Sequence, residues 1–224
     1  MSGFRNLALI FLACTLLLSS SCAPTEDEIL TERTVQREGN PGVFLDSAVA
    51  GVSYSTSAGL GGFTDSDGTF YYKEGDTVSF SIGDISLGSV VGAAKLTPVE
   101  VMSASGTADQ KVINLSRLLQ TLDADGDPSN GINIEESTRT SMEGKTVNFD
   151  VPLESFAQET QAVTATLGRE MISAKKALKH LHNTLEGEGL SDKVASDTEL
   201  QGLSEELEEF ITLPAGIALS KESL

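Results

Sequence analysis

"GGFTDSDGTFYYKEGDTVSFSIGDISLG", residues 61–88, carries a period of two interrupted by turn residues. Near its centre Val78, Phe80 and Ile82 fall on one face, with Ser79 and Ser81 opposite. That is the alternation of a half-buried antiparallel strand. "TFYY" and "DISLG" are two further short runs, and upstream in "VSYST" Val52, Tyr54 and Thr56 share a face. Asp67-Gly68 separates "FT" from "TFYY", and Gly75-Asp76 precedes "TVSFSIG". Asp-Gly between β-prone runs is a strong hairpin signal, because glycine accepts positive φ. Residues 42–101 are therefore expected to form a β-rich module, a small antiparallel sandwich or meander of about five to seven strands.

After Pro98 the period becomes helical. "ADQKVINLSRLLQTLD" places Val112, Leu115, Leu118, Leu119 and Leu122 on one face of an amphipathic helix. It runs into the acidic turn "DADGDPSNG", then a short helical segment and a strand expected around Thr146–Phe149. Pro152 can open another helix. "SAKKALKHLHNTLEG" is a second clear amphipathic helix, with Ala174, Ala177, Leu178, Leu181 and Leu185 as its stripe and Gly187 as its expected cap. The fold class is thus α+β, with a helical portion over 102–187 packed on the β module. Residues 188–224 are an acidic C-terminal segment that begins like a linker. In it Leu200, Leu203, Leu207, Phe210 and Ile211 could form one more helix.

The N-terminus reads as an address. Residues 1–21 combine Arg5, the apolar stretch Leu7–Leu18 and the small residues Ser19–Ser21, the three parts of an export signal. The stretch is shorter than the roughly 18–20 apolar residues a spanning helix needs. "LSSSC" ending at Cys22 resembles the lipobox of bacterial lipoproteins, although Ser19 stands where that motif prefers Leu. The resemblance implies a lipid on Cys22, and Ala23 after it implies the outer membrane. Cys14, the other cysteine, would leave with the signal, so no intrachain disulfide is expected. Residues 22–41 are polar and read as a flexible tether. With 33 acidic against 15 basic residues and a net charge of −18, the chain repels phosphate backbones, which argues against nucleic acid as a partner.

Candidate chemistry is sparse. Asp123, Asp125 and Asp127 alternate, a spacing at which carboxylates can converge on a hard cation such as calcium. The loop is no EF-hand: counted from Asp123, its sixth residue is Pro128 and its twelfth Ile134, with Glu135 one place late. A solvated turn is the plainer reading, as it is for Asp65 and Asp67 in "TDSDGT". His180 and His182 are two apart and diverge on a helix, so they cannot share a metal. No serine lies in a Gly-x-Ser-x-Gly turn, and "GLGG" at 59–62 is not followed by a helix that could meet a phosphate. There is no Trp, and Tyr54, Tyr71 and Tyr72 are a thin supply for stacking on sugars. No catalytic or cofactor-binding residue stands out, and calcium is the one candidate cofactor.

The elements "DSAVAGVSY", "GGFTDSDGTFYY" and "GDTVSFSIGDISLG" resemble a recurring module of bacterial exported lipoproteins. The middle element is also similar to carboxypeptidase-regulatory-like (transthyretin-like) β-sandwich domains, found in surface adhesin and protease lipoproteins. "INLSRLLQTLDADGDPSNGI" accompanies the module, so the resemblance covers roughly Gly42–Ile134. It implies a sandwich and an envelope location and leaves the ligand open. The expectation is a lipid-anchored envelope protein with a non-catalytic binding or structural role: adhesion, envelope organisation or accessory subunit. Its partners would be the membrane, through the lipid, and an envelope protein or surface ligand. Two alternatives are a calcium-dependent binding module and an envelope hydrolase.

Overall fold

The computed structural model describes residues 39–201, with 212–213 and 217–218. The chain enters as β1 (Asn40–Phe44) and turns into β2 (Val49–Ala50) and β3 (Ser53–Thr56). β4 (Gly61–Phe63), β5 (Thr69–Tyr72), β6 (Thr77–Ile82), β7 (Ile85–Val91) and β8 (Lys95–Leu96) follow. The alternation of 77–82 becomes burial: Val78, Phe80 and Ile82 are enclosed, and Thr77 is exposed. β6 pairs antiparallel with β3 and with β7, and β4 extends β3, in the order β4-β3-β6-β7. A second sheet has the order β5-β1-β8, β1 lying antiparallel to β5 and parallel to β8.

The inner faces of the two sheets meet through aromatic rings. Phe44 of β1 stacks on Phe80 of β6 at 4.9 Å, and Phe70 of β5 meets Phe80 edge-on at 5.3 Å. Tyr54 of β3 stands 6.0 Å from Phe70. Such pairs add to the burial of large apolar area. The architecture is α+β, with small, largely antiparallel sheets and several helices around them.

Helices close the open side of these sheets. In α1 (Pro98–Val101) Thr97 and Glu100 form a reciprocal capping box. α2 (Gln110–Leu122) starts on Asp109, whose carboxylate accepts from Lys111 N–H. Leu115, Leu118, Leu119 and Leu122 join Phe44, Phe80 and Leu96 in one core, so these four of the expected stripe turn to the sheets, whereas Val112 packs in a separate cluster with Val99. The opposite face departs from the amphipathic expectation: Asn114, Arg117, Gln120 and Thr121 are buried as well. They are tolerated inside because each finds hydrogen-bond partners there. Asn114 donates to the carbonyls of Phe149 and Val151, and Arg117 to those of Ile172 and Leu153 while its guanidinium stacks on Phe156.

Those contacts explain a correction. Residues around Thr146–Phe149 form no strand, because Asn114 takes the carbonyls on either side of Asp150 that a ladder would have used. After α2 come β9 (Ile132–Asn133), which pairs parallel to β2, and α3 (Glu136–Ser141). α4 (Leu153–Glu159) and α5 (Gln161–Leu167) follow. α6 (Ala174–Gly187) buries the expected stripe of Ala174, Ala177, Leu178, Leu181 and Leu185, packing along α2. Its cap also differs from expectation: Gly187 is the last helical residue, and Gly189, at φ 73°, takes the left-handed position.

The stretch after Gly189 is docked and not a linker. Leu190 and Val194 pack on the cluster of Val99, Val112, Leu181 and Leu185. Ala195 and Leu200, the latter in α7 (Asp197–Gln201), pack with Ile113 and Leu178. Lys193 forms an ion pair with Glu100. Thr212–Leu213 and Ile217–Ala218 pair antiparallel as β10 and β11. The remainder of the expected last helix, the export signal, Cys22 and most of the tether lie outside the described residues. Among the described residues no helix is long and apolar enough to cross a membrane.

Candidate functional site

Three turns far apart in sequence gather at one end of the sheets, beside the second half of α6. The hairpin 65–68 lies against the turn 45–48, with Phe44 N–H donating to the Gly68 carbonyl at 2.9 Å. A side chain at Gly68 would clash, since a Cβ there would lie 2.7 Å from the Phe44 carbonyl oxygen, and its φ is 73°. The acidic turn is stitched to the same place: Ile132 N–H donates to the Ala48 carbonyl at 2.9 Å. Ser47, at φ 60°, holds a backbone conformation that non-glycine residues seldom adopt. Its N–H donates to Thr184 Oγ1 of α6 at 3.2 Å. Between these pieces runs an open groove of about 550 Å³, lined among others by Ser47, Asp67, Lys95, Asn130, Thr184 and Glu188. Lys95 and Glu188 are ion-paired in its wall at 2.8 Å.

Behind Ser47, Asp46 is fully buried. Both its carboxylate oxygens accept from Gln120 Nε2, at 3.2 and 3.1 Å, and the same amide donates to the Ala177 carbonyl at 3.1 Å. Burial pushes the Asp46 carboxyl up to about 7, against the opposing pull of Gln120 and the nearby Ser116 hydroxyl. The turn is thereby joined to α2 through Asp46 and to α6 through Ser47.

His180 makes the second link to α6. Its Nε2 lies 3.0 Å from Ser47 Oγ and 3.3 Å from the Asp46 carbonyl oxygen. A carbonyl can only accept, so the Asp46 contact is a hydrogen bond when the proton is on Nε2; with the proton on Nδ1, Nε2 instead accepts from the Ser47 hydroxyl. Burial depresses the His180 pKa and favours the neutral ring. With the proton on Nε2 His180 donates to the turn; with it on Nδ1 the ring receives the hydrogen bond of the Ser47 hydroxyl. In either tautomer the contact pins the turn to α6. His182 points elsewhere, to Thr107 Oγ1 at 2.6 Å, and that hydroxyl also accepts from Ala195 N–H.

The three aspartates of the acidic turn do not converge. Asp127 Oδ1 accepts from the N–H and hydroxyl of Ser129. Asp125 accepts from Asp127 N–H and from the Asn130 side-chain amide at 2.9 Å each. Asp123 Oδ1 accepts from Asn133 N–H at 2.9 Å. Among the described residues no three His, Cys, Asp or Glu gather so as to hold a metal ion. Short loops of this composition satisfy their own backbone first. Asp65 does the same, accepting from Asp67 and Thr69 N–H. Asp123 and Asp125 do face one another. Burial and then the Asp125 carboxylate raise the Asp123 pKa, whereas the Asn130 amide and Asp127 N–H lower that of Asp125.

Comparison with known proteins returns nothing: no family model, no curated protein and no solved structure matches the chain. The groove therefore stands on its own residues. The sequence pointed to Asp67 as part of a solvated turn, and to His180 only as one of two diverging helical histidines. It gave no notice of Asp46, Ser47, Gln120 or Thr184. One signal was available for Gln120, a long amide inside the otherwise apolar run "LLQTL".

Proposed function

We propose that this chain is a lipid-anchored protein of the cell envelope, held at the outer membrane through Cys22, and that its groove is a non-catalytic binding surface for an envelope protein or surface ligand. The export signal, the lipobox resemblance and Ala23 support the location. The observation that carries the binding reading is how the groove is built. Its turns are fixed from behind by Gln120, His180 and Thr184, so polar groups such as Ser47, Asp67 and Asn130 are presented from a rigid frame. The two facing sheets and the accompanying α2 and acidic turn agree with the exported-module resemblance.

In-cell photo-crosslinking tests it. A benzophenone side chain at Ser129, in the groove, is expected to capture a discrete envelope partner, and the same probe at exposed Glu143, outside the groove, is not. Equal capture from both positions, or none from either, would overturn the binding reading. Intact-mass measurement of the N-terminal peptide checks the anchor separately: a start beyond Cys22, or an unmodified Cys22, removes it.

A further inference from the structure

A carboxyl oxygen enclosed by protein without a donor resists ionisation, and Asp123 has one. The residue sits where α2 ends, 1% exposed, and its Oδ2 is buried with no hydrogen-bond partner. The helix terminus adds partial negative charge at the same point. Asp125 faces it with a second carboxylate. Arg169 packs here too, but its guanidinium bonds to the carbonyls of Thr121, Asp123 and Ala124 and not to either carboxylate. The carbonyl oxygens are thus served, and the side-chain oxygen is not.

We propose that Asp123 and Asp125 form a divalent-cation site, calcium by preference, in which the cation bridges Asp123 Oδ2 and the Asp125 carboxylate. This is a narrower site than the three alternating aspartates suggest, because Asp123 and Asp125 face one another while Asp127 turns its Oδ1 to Ser129. Two carboxylates supply the charge, and water can complete the shell, together with the Asn130 side-chain carbonyl once that amide turns from the hydrogen bond its nitrogen now donates to Asp125 Oδ2. Calcium is preferred because the Asp123 side is dry. A cation seated there must give up water, and magnesium does so reluctantly. Asn130 also lines the groove, so the ion would hold one wall of it. The site does not rest on the identity of any groove ligand.

Thermal melting and titration calorimetry of the full mature chain, first treated with chelator, test the proposal with calcium chloride alone as the probe. At ten times Kd the melting temperature is expected to rise by about 3–5 °C. Asp125→Asn should fold, since Asp125 is exposed, and lose that shift. Asp123→Asn should lose it too and melt higher than the parent in chelator, because the amide replaces an uncompensated charge. Asp127→Asn should keep it. The absence of both shift and heat at about 10 mM calcium, well above the weakest protein calcium sites, would overturn the proposal. So would a shift that survives Asp125→Asn, or one lost equally in Asp127→Asn. An equal response to magnesium would overturn the preference for calcium.

Discussion

The β half and the helical half of this molecule satisfy their backbones by different means. In the β half, ladders between neighbouring strands use up the amides and carbonyls, and the side chains of β6 are left free to make a core. In the helical half, the irregular segments 149–152 and 171–173 have no ladder. Their carbonyls are met by Asn114 and Arg117 from α2, and Ile172 N–H by Thr121 Oγ1. Order is therefore spread over many equivalent bonds in one half and concentrated on a few side chains in the other. A spread network tolerates the loss of one polar group; a concentrated one does not.

Substitutions can break this contrast. Phe80→Ala should cost most, about 3–5 kcal/mol in urea unfolding, since it empties the stack between the sheets. A loss under about 1 kcal/mol would show that the aromatic cluster is not what joins the sheets. Arg117→Met keeps the apolar stem beside Phe156 but removes the donor from the Ile172 carbonyl and the second donor from that of Leu153. The expected cost is about 2–3 kcal/mol. If it is near zero, the helical half does not depend on its polar side chains in the way described.

Asp46 sharpens the comparison at the seam between the halves. Its carboxyl is raised from 3.8 to about 7 in the folded protein. Between those values the folded state binds the proton that the unfolded chain has released, so the stabilising contribution is full below about pH 4 and is lost as pH rises through about 7. His180, with a depressed pKa, contributes in the opposite sense, so the parent and Asp46→Asn are to be compared at each pH. The variant is expected to gain about 2 kcal/mol relative to the parent between pH 5 and pH 8. Parallel melting curves across that range would mean that Asp46 is ionised in the fold.

The strands and the apolar stripes of α2 and α6 were legible because a period of two or of 3.6 is local, and local patterns survive any tertiary arrangement. The buried polar face of α2 was not legible, since on an isolated helix Asn114 and Arg117 look like a solvated side. The strand expected near Thr146–Phe149 failed for the same reason: its backbone partner was a side chain some 35 residues earlier. The groove was the least legible feature. Ser47 and His180 are 133 positions apart and Asp46 and Gln120 are 74 apart, and no spacing rule connects them.

α2, enclosed on every side from Val112 to Leu122, also sets the timing of assembly. A chain made or threaded from its N-terminus presents all of β1–β8 first, with Phe44, Leu96 and their neighbours uncovered. α2 arrives next with its own far side bare, and only the appearance of α6 gives that side a lid. The β half must therefore wait, half-finished and adhesive, for some ninety residues of later chain. A helper that shields apolar surface would matter most during that interval.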